Sequence, residues 1–187
     1  MLVAISGSQG CGKTTILNKL KEYNYHIIER KTSRSILTDW DVSLQEVNNN
    51  PELTIRFQEE LSRRKYEDEK EEFYSNTIAF TERTHADVFT YALVSLGKNN
   101  LYSKWLDDYY ERCMEYNQKY SQVFYLKAGH FSIEHDGVRG SSHHYSRMVD
   151  LTMLDITQQM IHNSKLTIIE TPSIAQRLSI IRNLSWL

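Results

Sequence analysis

The ten residues from Ser6 to Thr15, SGSQGCGKTT, limit what this chain can fold into more than any other stretch of the sequence. The spacing G-x-x-x-x-G-K-[ST] of a phosphate-binding loop is met by Gly7, Gly12, Lys13 and Thr14. An apolar run from Met1 to Ile5 precedes the loop and predicts a buried parallel strand. Apolar residues at helical spacing follow the loop and predict a helix over Thr14 to Tyr23. The motif therefore lies between a strand and a helix, as a phosphate-binding loop requires.

The residue types in this loop suit the binding of a nucleoside triphosphate. Glycines allow the backbone to curl so that several N–H groups point at phosphate oxygens. Lys13 supplies a cation for the terminal phosphates, and Thr14 offers a hydroxyl to Mg²⁺. The residues predicted to contact the nucleotide are Gly7, Ser8, Gln9, Gly10, Cys11, Gly12, Lys13, Thr14 and Thr15.

Charge and cysteine content narrow the class of protein. The 24 acidic and 22 basic side chains give a net charge of -2, so no overall basic field marks a nucleic-acid binder, and small-molecule substrates are favoured. Two cysteines, Cys11 and Cys113, exclude a disulfide framework and fit a reducing compartment. No apolar run approaches membrane-spanning length. We expect one domain over residues 1–187, a cytoplasmic location and no membrane partner.

Basic side chains follow the second predicted strand. The run His26 to Ile28 predicts a short strand, and the next residues, ERKTSRSI, include Arg30 and Arg34. Ligands of parallel α/β sheets bind at the carboxyl ends of strands, so these two arginines are predicted to bind an acceptor beside the nucleotide. The alternative is a solvated, positively charged loop.

A second polar group follows the third predicted strand, Thr77 to Phe80, in the segment TERTHAD. Glu82 could take a proton from an acceptor hydroxyl or help to hold Mg²⁺ through water. Arg83 could hold an acceptor phosphate or the migrating phosphoryl group with two parallel hydrogen bonds. Asp87 follows one turn into the next helix and is predicted to contact the acceptor. The alternative is a structural ion pair between Glu82 and Arg83.

Two further arginines suggest a lid over the phosphates. Arg139 follows a glycine-containing turn, and Arg147 lies eight residues later on a predicted helix. A lid over approximately 129–147 would exclude water and stabilise charge on the transferring phosphoryl group. The alternative is a flexible surface loop.

The remaining elements complete an α/β pattern. Apolar runs predict strands at Gln122–Leu126 and Leu166–Ile169, and periodic segments predict helices at Pro51–Tyr74, Leu101–Tyr120 and from Ser141 or Ser142 to about His162. We interpret the charge run RRKYEDEKEE as solvated surface. The aromatic residues of the second long helix are interpreted as core, with base stacking as the alternative. Five strands alternating with helices predict a three-layer α/β/α sandwich with a mainly parallel sheet and a lid segment.

Four segments together resemble a known family. GSQGCGKTT, TERTHAD, HDGVR and ETPSIAQRLSII are similar, in that order, to the small P-loop, AAA-type kinase-like family that includes nicotinamide riboside kinase domains and phage nucleotide kinases. The resemblance implies transfer of a phosphoryl group from ATP, with Lys13 and Thr14 in their usual roles, Arg139 in the lid and adenine against Thr171–Gln176. The family usually has Asp-Arg-Ser where this chain has Glu82, Arg83 and Thr84. That departure leaves the acceptor open between a nucleoside hydroxyl and a monophosphate.

These inferences favour an ATP- and Mg²⁺-dependent phosphotransferase, a (deoxy)nucleoside monophosphate kinase of phage type. One alternative is a kinase that phosphorylates 5-hydroxymethylpyrimidine in DNA. The local cations around Arg34 favour this alternative, whereas the negative net charge of the chain argues against it. Another is a nucleotide-binding switch without a small-molecule acceptor, although the guanine-specifying N-K-x-D motif is missing after the fourth strand. The sequence is also compatible with a homodimer.

Overall fold

The computed structural model describes residues 1–28, 33–129 and 143–184 of the chain. The strands are β1 (Leu2–Ser6), β2 (His26–Ile27), β3 (Ala79–Glu82), β4 (Gln122–Leu126) and β5 (Leu166–Ile169). The α-helices are α1 (Lys13–Glu22), α2 (Ser33–Trp40), α3 (Leu44–Asn49), α4 (Pro51–Glu69), α5 (His85–Leu96), α6 (Ser103–Asn117), α7 (His143–Met160) and α8 (Ile174–Leu184). Short 3₁₀ helices occupy Lys70–Tyr74, Asn100–Tyr102 and Asn163–Lys165.

The strands form one parallel sheet in the order β2-β3-β1-β4-β5. β1 lies at its centre, where Ile5 pairs with Glu82 of β3 on one side and with Phe124 of β4 on the other. The carboxyl ends of these three strands therefore meet at one edge, and β1 continues from that edge into the phosphate-binding loop. The predicted five-stranded α/β fold is confirmed.

Alternating residues of the central strand face two apolar layers. Val3 and Ile5 lie in a core cluster with residues of α1 and α8, namely Ile16, Leu17, Leu20, Leu178 and Ile181. Leu2 and Ala4 lie in a separate cluster with Tyr120 and Ile161. Tyr125 packs with Val149 and Met153 of α7 in a third cluster. Helices cover both faces of the sheet, which gives the three layers.

The third strand lies two residues later than the sequence predicted. The expected bounds were Thr77 to Phe80, whereas β3 runs from Ala79 to Glu82. Thr81 is fully buried despite its hydroxyl, and Glu82 pairs with β1, because tertiary hydrogen bonds satisfy the polar end of this strand. Glu82 is therefore the last residue of the strand, and Arg83 is the first residue beyond it.

Two residues of α4 contradict the interpretation of the charge run as solvated surface, whereas Arg63, Glu67 and Lys70 are exposed as expected. Lys65 and Glu69 are buried, and they form an ion pair inside the protein. Thr81 Oγ1 donates to Glu69 Oε1 at 2.6 Å, and Tyr120 Oη donates to Glu69 Oε2 at 3.0 Å. This buried network joins α4 to β3 directly below Glu82, because Lys65 Nζ also reaches the Glu82 carbonyl oxygen at 3.4 Å.

Helix α6 carries the aromatic residues that were interpreted as core. Tyr109 is fully buried, its ring stacks on Trp105 at 4.7 Å, and its hydroxyl donates to the Gln58 carbonyl oxygen at 2.7 Å. The core interpretation is confirmed for this residue. Across the described ranges, the helices are too short or too polar to cross a bilayer.

Candidate active site

The loop between β1 and α1 has a backbone that needs glycine. Gly7, Gly10 and Gly12 have φ values of 129°, 76° and 93°, a region that L side chains rarely adopt. A Cβ on Gly7 would lie 2.5 Å from the Leu126 carbonyl oxygen and 2.8 Å from Cys11 Sγ. The loop therefore packs against the end of β4, and its backbone curls as in a cradle of the kind that binds phosphate.

Lys13 is buried at the first position of α1, with its ammonium inside the loop. Nζ donates to the carbonyl oxygens of Gly7 and Ser8, each at 2.8 Å, and lies 3.6 Å from Cys11 Sγ. These contacts hold the cation over the hollow of the loop, where the terminal phosphates of a nucleotide would lie. The Thr14 and Thr15 side chains are exposed at the start of the helix.

A buried carboxylate fixes the base of the loop to α5. Asp87 Oδ1 accepts hydrogen bonds from Ser6 Oγ at 2.6 Å and from Thr84 Oγ1 at 3.0 Å, and Oδ2 accepts from the Thr84 N–H at 3.2 Å. Thr84 and Asp87 form the capping box at the start of the helix. The sequence placed Asp87 against the acceptor. In the structure Asp87 is instead fully buried, and both of its carboxylate oxygens accept hydrogen bonds from Ser6 or Thr84.

Helix α7 holds the loop from the opposite side, through residues that the sequence did not single out. Ser8 Oγ donates to Asp150 Oδ1 at 2.8 Å, and Tyr125 Oη donates to the same atom at 3.2 Å. Gln9 Nε2 donates to Ser146 Oγ at 3.1 Å. Burial, and then the negative charge of Asp150, raise the pKa of the Tyr125 hydroxyl, so it stays a hydrogen-bond donor. Ser146 and Asp150 are four residues apart, which places them on one helix face.

Arg83 is held in an unusual conformation beyond β3. Its φ is 68°, in the left-handed region, and its N–H donates to the Ile5 carbonyl oxygen at 2.9 Å. The guanidinium lies 5.4 Å from the centre of the Tyr91 ring. Burial lowers its pKa, but Tyr91, Glu82 and Asp87 raise it by more, so the group stays charged.

One nitrogen of that guanidinium lacks an acceptor among the described residues. Nη1 of Arg83 is buried, and no atom of the described residues accepts a hydrogen bond from it. A left-handed backbone at a non-glycine residue costs about 1–3 kcal/mol and occurs most often at functional sites. A buried donor without an acceptor carries a further cost that an anionic ligand would remove. Both features fit an anion-binding role for Arg83.

The other predicted site residues fall into two groups. Arg34 is exposed on α2, and Arg147 is exposed on α7, next to the residue that contacts Gln9. Arg30, Arg139 and most of the predicted lid over 129–147 lie outside the described residues. The structure thus brings together the loop, Glu82 and Arg83 at one edge of the sheet.

The residues at this edge fit a nucleotide with Mg²⁺. The glycine cradle, the buried ammonium of Lys13 and the exposed hydroxyl of Thr14 are the donor set that a triphosphate and its metal require. Within the described ranges, no cluster of three or more histidine, cysteine or acidic side chains could hold a metal by itself. Mg²⁺ commonly uses one or two protein ligands together with phosphates and water, so Thr14 and Glu82 would suffice.

Comparison with known proteins gives a family and a fold. The family model described as AAA domain matches residues 2–177. No curated protein matches the sequence. Deoxyadenosine kinase from M. mycoides with bound dATP is similar in structure, with a TM-score of 0.75 and 16% identity over 100% of both chains. A NadR protein in complex with NAD and AMP-PNP has a TM-score of 0.68 and 12% identity over 100% of this chain and 49% of NadR. At these identities the likeness establishes the fold.

Proposed function

This chain belongs to the AAA domain family, and from that membership and its kinase-like fold we propose that it transfers the terminal phosphoryl group of ATP to a nucleoside or nucleotide. The observation that carries the proposal is the pairing of two cations at one sheet edge. Lys13 is buried inside the phosphate-binding loop, and Arg83 follows directly after the neighbouring strand β3, with an Nη1 for which the described residues offer no acceptor. A second cation there could hold an acceptor phosphate or stabilise charge on the transferring phosphoryl group, so a test of transfer against hydrolysis is needed.

The loop and Lys13 bind the donor nucleotide. On binding, Lys13 exchanges the carbonyl oxygens of Gly7 and Ser8 for phosphate oxygens, which keeps its ammonium in place while its partners change. The N–H groups of the loop orient the phosphates, and Thr14 would hold Mg²⁺. Mg²⁺, when bound, neutralises charge that develops on the phosphates.

Glu82 and Arg83 position the acceptor. Glu82 lies at the end of β3, where Lys65 of the buried α4 network contacts its carbonyl oxygen. Its carboxylate takes the proton of an acceptor hydroxyl or would help to hold Mg²⁺ through water. Arg83 directs Nη1 to an acceptor phosphate or to the transferring phosphoryl group. One kinase domain over 1–187 with a lid over about 129–147 would complete the site, with Arg139 and Arg147 supplying further positive charge.

A buried amide on α4 is a candidate for recognising an acceptor with a base. Gln58 of α4 is 5% exposed, and no described residue donates a hydrogen bond to its Oε1. Ser62, one turn later, has its Oγ 3.1 Å from Nδ1 of His85, which lies two residues beyond Arg83. A side-chain amide presents both a donor and an acceptor, as the edge of a nucleobase does. The names of the neighbours, deoxyadenosine kinase with dATP and with the products dCMP and dCDP, support the same class of acceptor.

The test is a transfer screen with labelled ATP and Mg²⁺ over nucleosides, their monophosphates and DNA that contains 5-hydroxymethylpyrimidine. We expect label in a nucleoside or a monophosphate, and which of the two is labelled decides between the hydroxyl and the phosphate as acceptor. Label in DNA alone, with a steep loss on added salt, would replace the free-nucleotide proposal. Slow release of phosphate with no labelled acceptor would favour the nucleotide-binding switch.

Lys13→Met is the matched loss-of-function variant for this screen. We expect transfer to fall by at least about a hundredfold, as is typical when a donor to the transition state is removed. Lys19→Met is the control, because Lys19 lies on the same helix and pairs with Glu22 at the surface. Equal transfer rates for the wild-type protein and Lys13→Met would contradict the proposed role of the loop.

A further inference from the structure

Arg177 of α8 is a fully buried arginine that contacts the phosphate-binding loop from behind. Its Nη1 donates to the Cys11 carbonyl oxygen at 2.5 Å, and its Nε donates to the Thr171 carbonyl oxygen at 2.6 Å. Nη2 lies 3.5 Å from the Lys127 carbonyl oxygen. These three acceptors belong to the loop, to the chain after β4 and to the chain after β5. One guanidinium thus joins three segments that meet at the carboxyl edge of the sheet.

We propose that Arg177 is a positioning residue of the triphosphate site, which aims the Gly12 N–H at the phosphates by holding the Cys11 carbonyl. In a trans peptide the C=O of one residue and the N–H of the next point in opposite directions. Arg177 draws the Cys11 oxygen toward α8, away from the hollow of the loop. The Gly12 N–H belongs to the same peptide plane, so it points into the hollow.

The conformation of Gly12 is consistent with this constraint. Gly12 has a φ of 93°, and its own carbonyl oxygen accepts the hydrogen bond of Ile16 N–H that opens α1. The first hydrogen bond of the helix therefore fixes the carbonyl of Gly12. The direction of the Gly12 N–H is set by the peptide plane between Cys11 and Gly12. Without Arg177 that plane could rotate, since glycine permits a wide range of backbone angles.

Arg177 also places a fixed charge behind the loop. Burial lowers the pKa of its guanidinium, but arginine remains protonated at neutral pH in this setting. A cation below the loop adds to the positive end of α1, and both favour a bound triphosphate. The position of α8 has separate support, because Leu178 and Ile181 pack in the core cluster that includes β1.

This inference rests on the proposed function, since it assumes that the loop binds a nucleoside triphosphate. The test compares ATP affinity by calorimetric titration for the wild-type protein, Arg177→Ala and Arg182→Ala. Arg182 lies on the same helix, where its exposed guanidinium stacks on Tyr23 at 4.3 Å, and it serves as the control. We expect Arg177→Ala to bind ATP at least about tenfold more weakly and Arg182→Ala to bind it as the wild type does.

Chemical rescue separates positioning from mere stability. Guanidinium ion at a low, non-denaturing concentration should occupy the space left in Arg177→Ala and restore ATP affinity. Arg177→Lys keeps the charge without the forked donors, so we expect it to fold and to bind ATP more weakly than the wild type. It also replaces Arg177→Ala in the comparison if the alanine variant fails to fold.

Three outcomes would overturn the inference. Equal ATP affinity of the wild type and a folded Arg177 variant would overturn the positioning role of Arg177 and leave the proposed function intact. Guanidinium that restores the melting temperature but leaves ATP affinity low would show a structural role only. A wild-type protein that does not bind ATP would overturn the proposed function, and this inference with it.

Discussion

At the residue scale, the site depends on side chains whose partners are fixed before any ligand arrives. Asp87 receives three hydrogen bonds from Ser6 and Thr84, and Lys13 is held by two loop carbonyls. Arg83 differs, because it combines a left-handed backbone with a buried donor that no described residue accepts. The first two residues shape the site, and the third retains a donor that fits the anion-binding role proposed for it.

Asp87→Asn tests the structural role of this carboxylate. We expect a loss of about 1–3 kcal/mol in the free energy of unfolding, because Ser6 and Thr84 lose a charged acceptor inside the protein. The matched control is Glu46→Gln in the exposed capping box of α3, where Glu46 pairs with Ser43 and water can replace the lost contact. Urea unfolding of both variants measures the difference. Equal losses in the two variants would contradict the buried role of Asp87.

At the element scale, α4 has two charged faces with different tasks. Its inner face buries Lys65 and Glu69 and braces β3. Its outer face carries Glu60, which accepts hydrogen bonds from Arg63 and Arg64. The hydrogen bond from Arg63 lowers the pKa of the Glu60 carboxyl to about 2, while partial burial opposes the shift and Arg64 adds to it.

Glu60→Gln tests the pH dependence of this outer face. The folded-state pKa lies below the ordinary value of 4.5, so the ionised carboxylate stabilises the fold above that value and loses its effect as pH falls toward about 2. We expect the variant to lose on the order of 1 kcal/mol at neutral pH, discounted because Arg63 is largely exposed. The difference in the free energy of unfolding between the variant and the wild type should disappear as the pH falls toward about 2.

Denaturant unfolding at several pH values measures that gap. Glu67→Gln is the control, because Glu67 pairs with Lys70 at the exposed end of the same helix, and we expect it to have a smaller effect. A gap between the wild type and Glu60→Gln that persists unchanged below about pH 3 would contradict the assignment.

The elements that sequence reasoning located well are those with a local signal. β4 and β5 lie at the predicted bounds, because each is a short, mostly apolar run, and in β4 four of the five residues are buried. β3 ends in Thr81 and Glu82, and α4 buries Lys65. The polarity of Thr81 and Glu82 placed the predicted end of β3 too early, and the charge run around Lys65 was interpreted as solvated, since the partners that satisfy these residues come from distant parts of the chain.

The candidate site divides in the same way. The phosphate-binding loop and its lysine are a contiguous motif, so their chemistry can be predicted from the sequence. Asp150 and Arg177 contact Ser8 and Cys11 across sequence separations of 142 and 166 residues. Their positions depend on how α7 and α8 cross the sheet, which no local pattern specifies.

At the scale of the whole molecule, the loop lies where helices of both layers meet. α1 and α8 pack on one face of the sheet and α7 on the other, and α7 and α8 each contact the loop directly. A ligand bound in the loop would therefore stabilise contacts on both faces at once. Nucleotide binding and global stability should be linked.

A thermal shift with ATP and Mg²⁺ tests that linkage. At a free ATP concentration of about 100 times its Kd, we expect about 2.7 kcal/mol of added stability, which corresponds to roughly 5–10 °C in Tm for a chain of this length. Lys13→Met should show little or no shift at the same concentration. A wild-type Tm that does not respond to saturating ATP would contradict binding at the loop.

The central claim is that Lys13 and Arg83 together direct a phosphoryl group to an acceptor and not to water. The most direct measurement is the partition of label from terminally labelled ATP between acceptor and inorganic phosphate, with the acceptor found in the transfer screen. We predict that most of the label enters the acceptor, that turnover rises with acceptor concentration and that Arg83→Lys shifts the partition toward inorganic phosphate. Release of all label as inorganic phosphate, at a rate that the acceptor does not change, would contradict the claim.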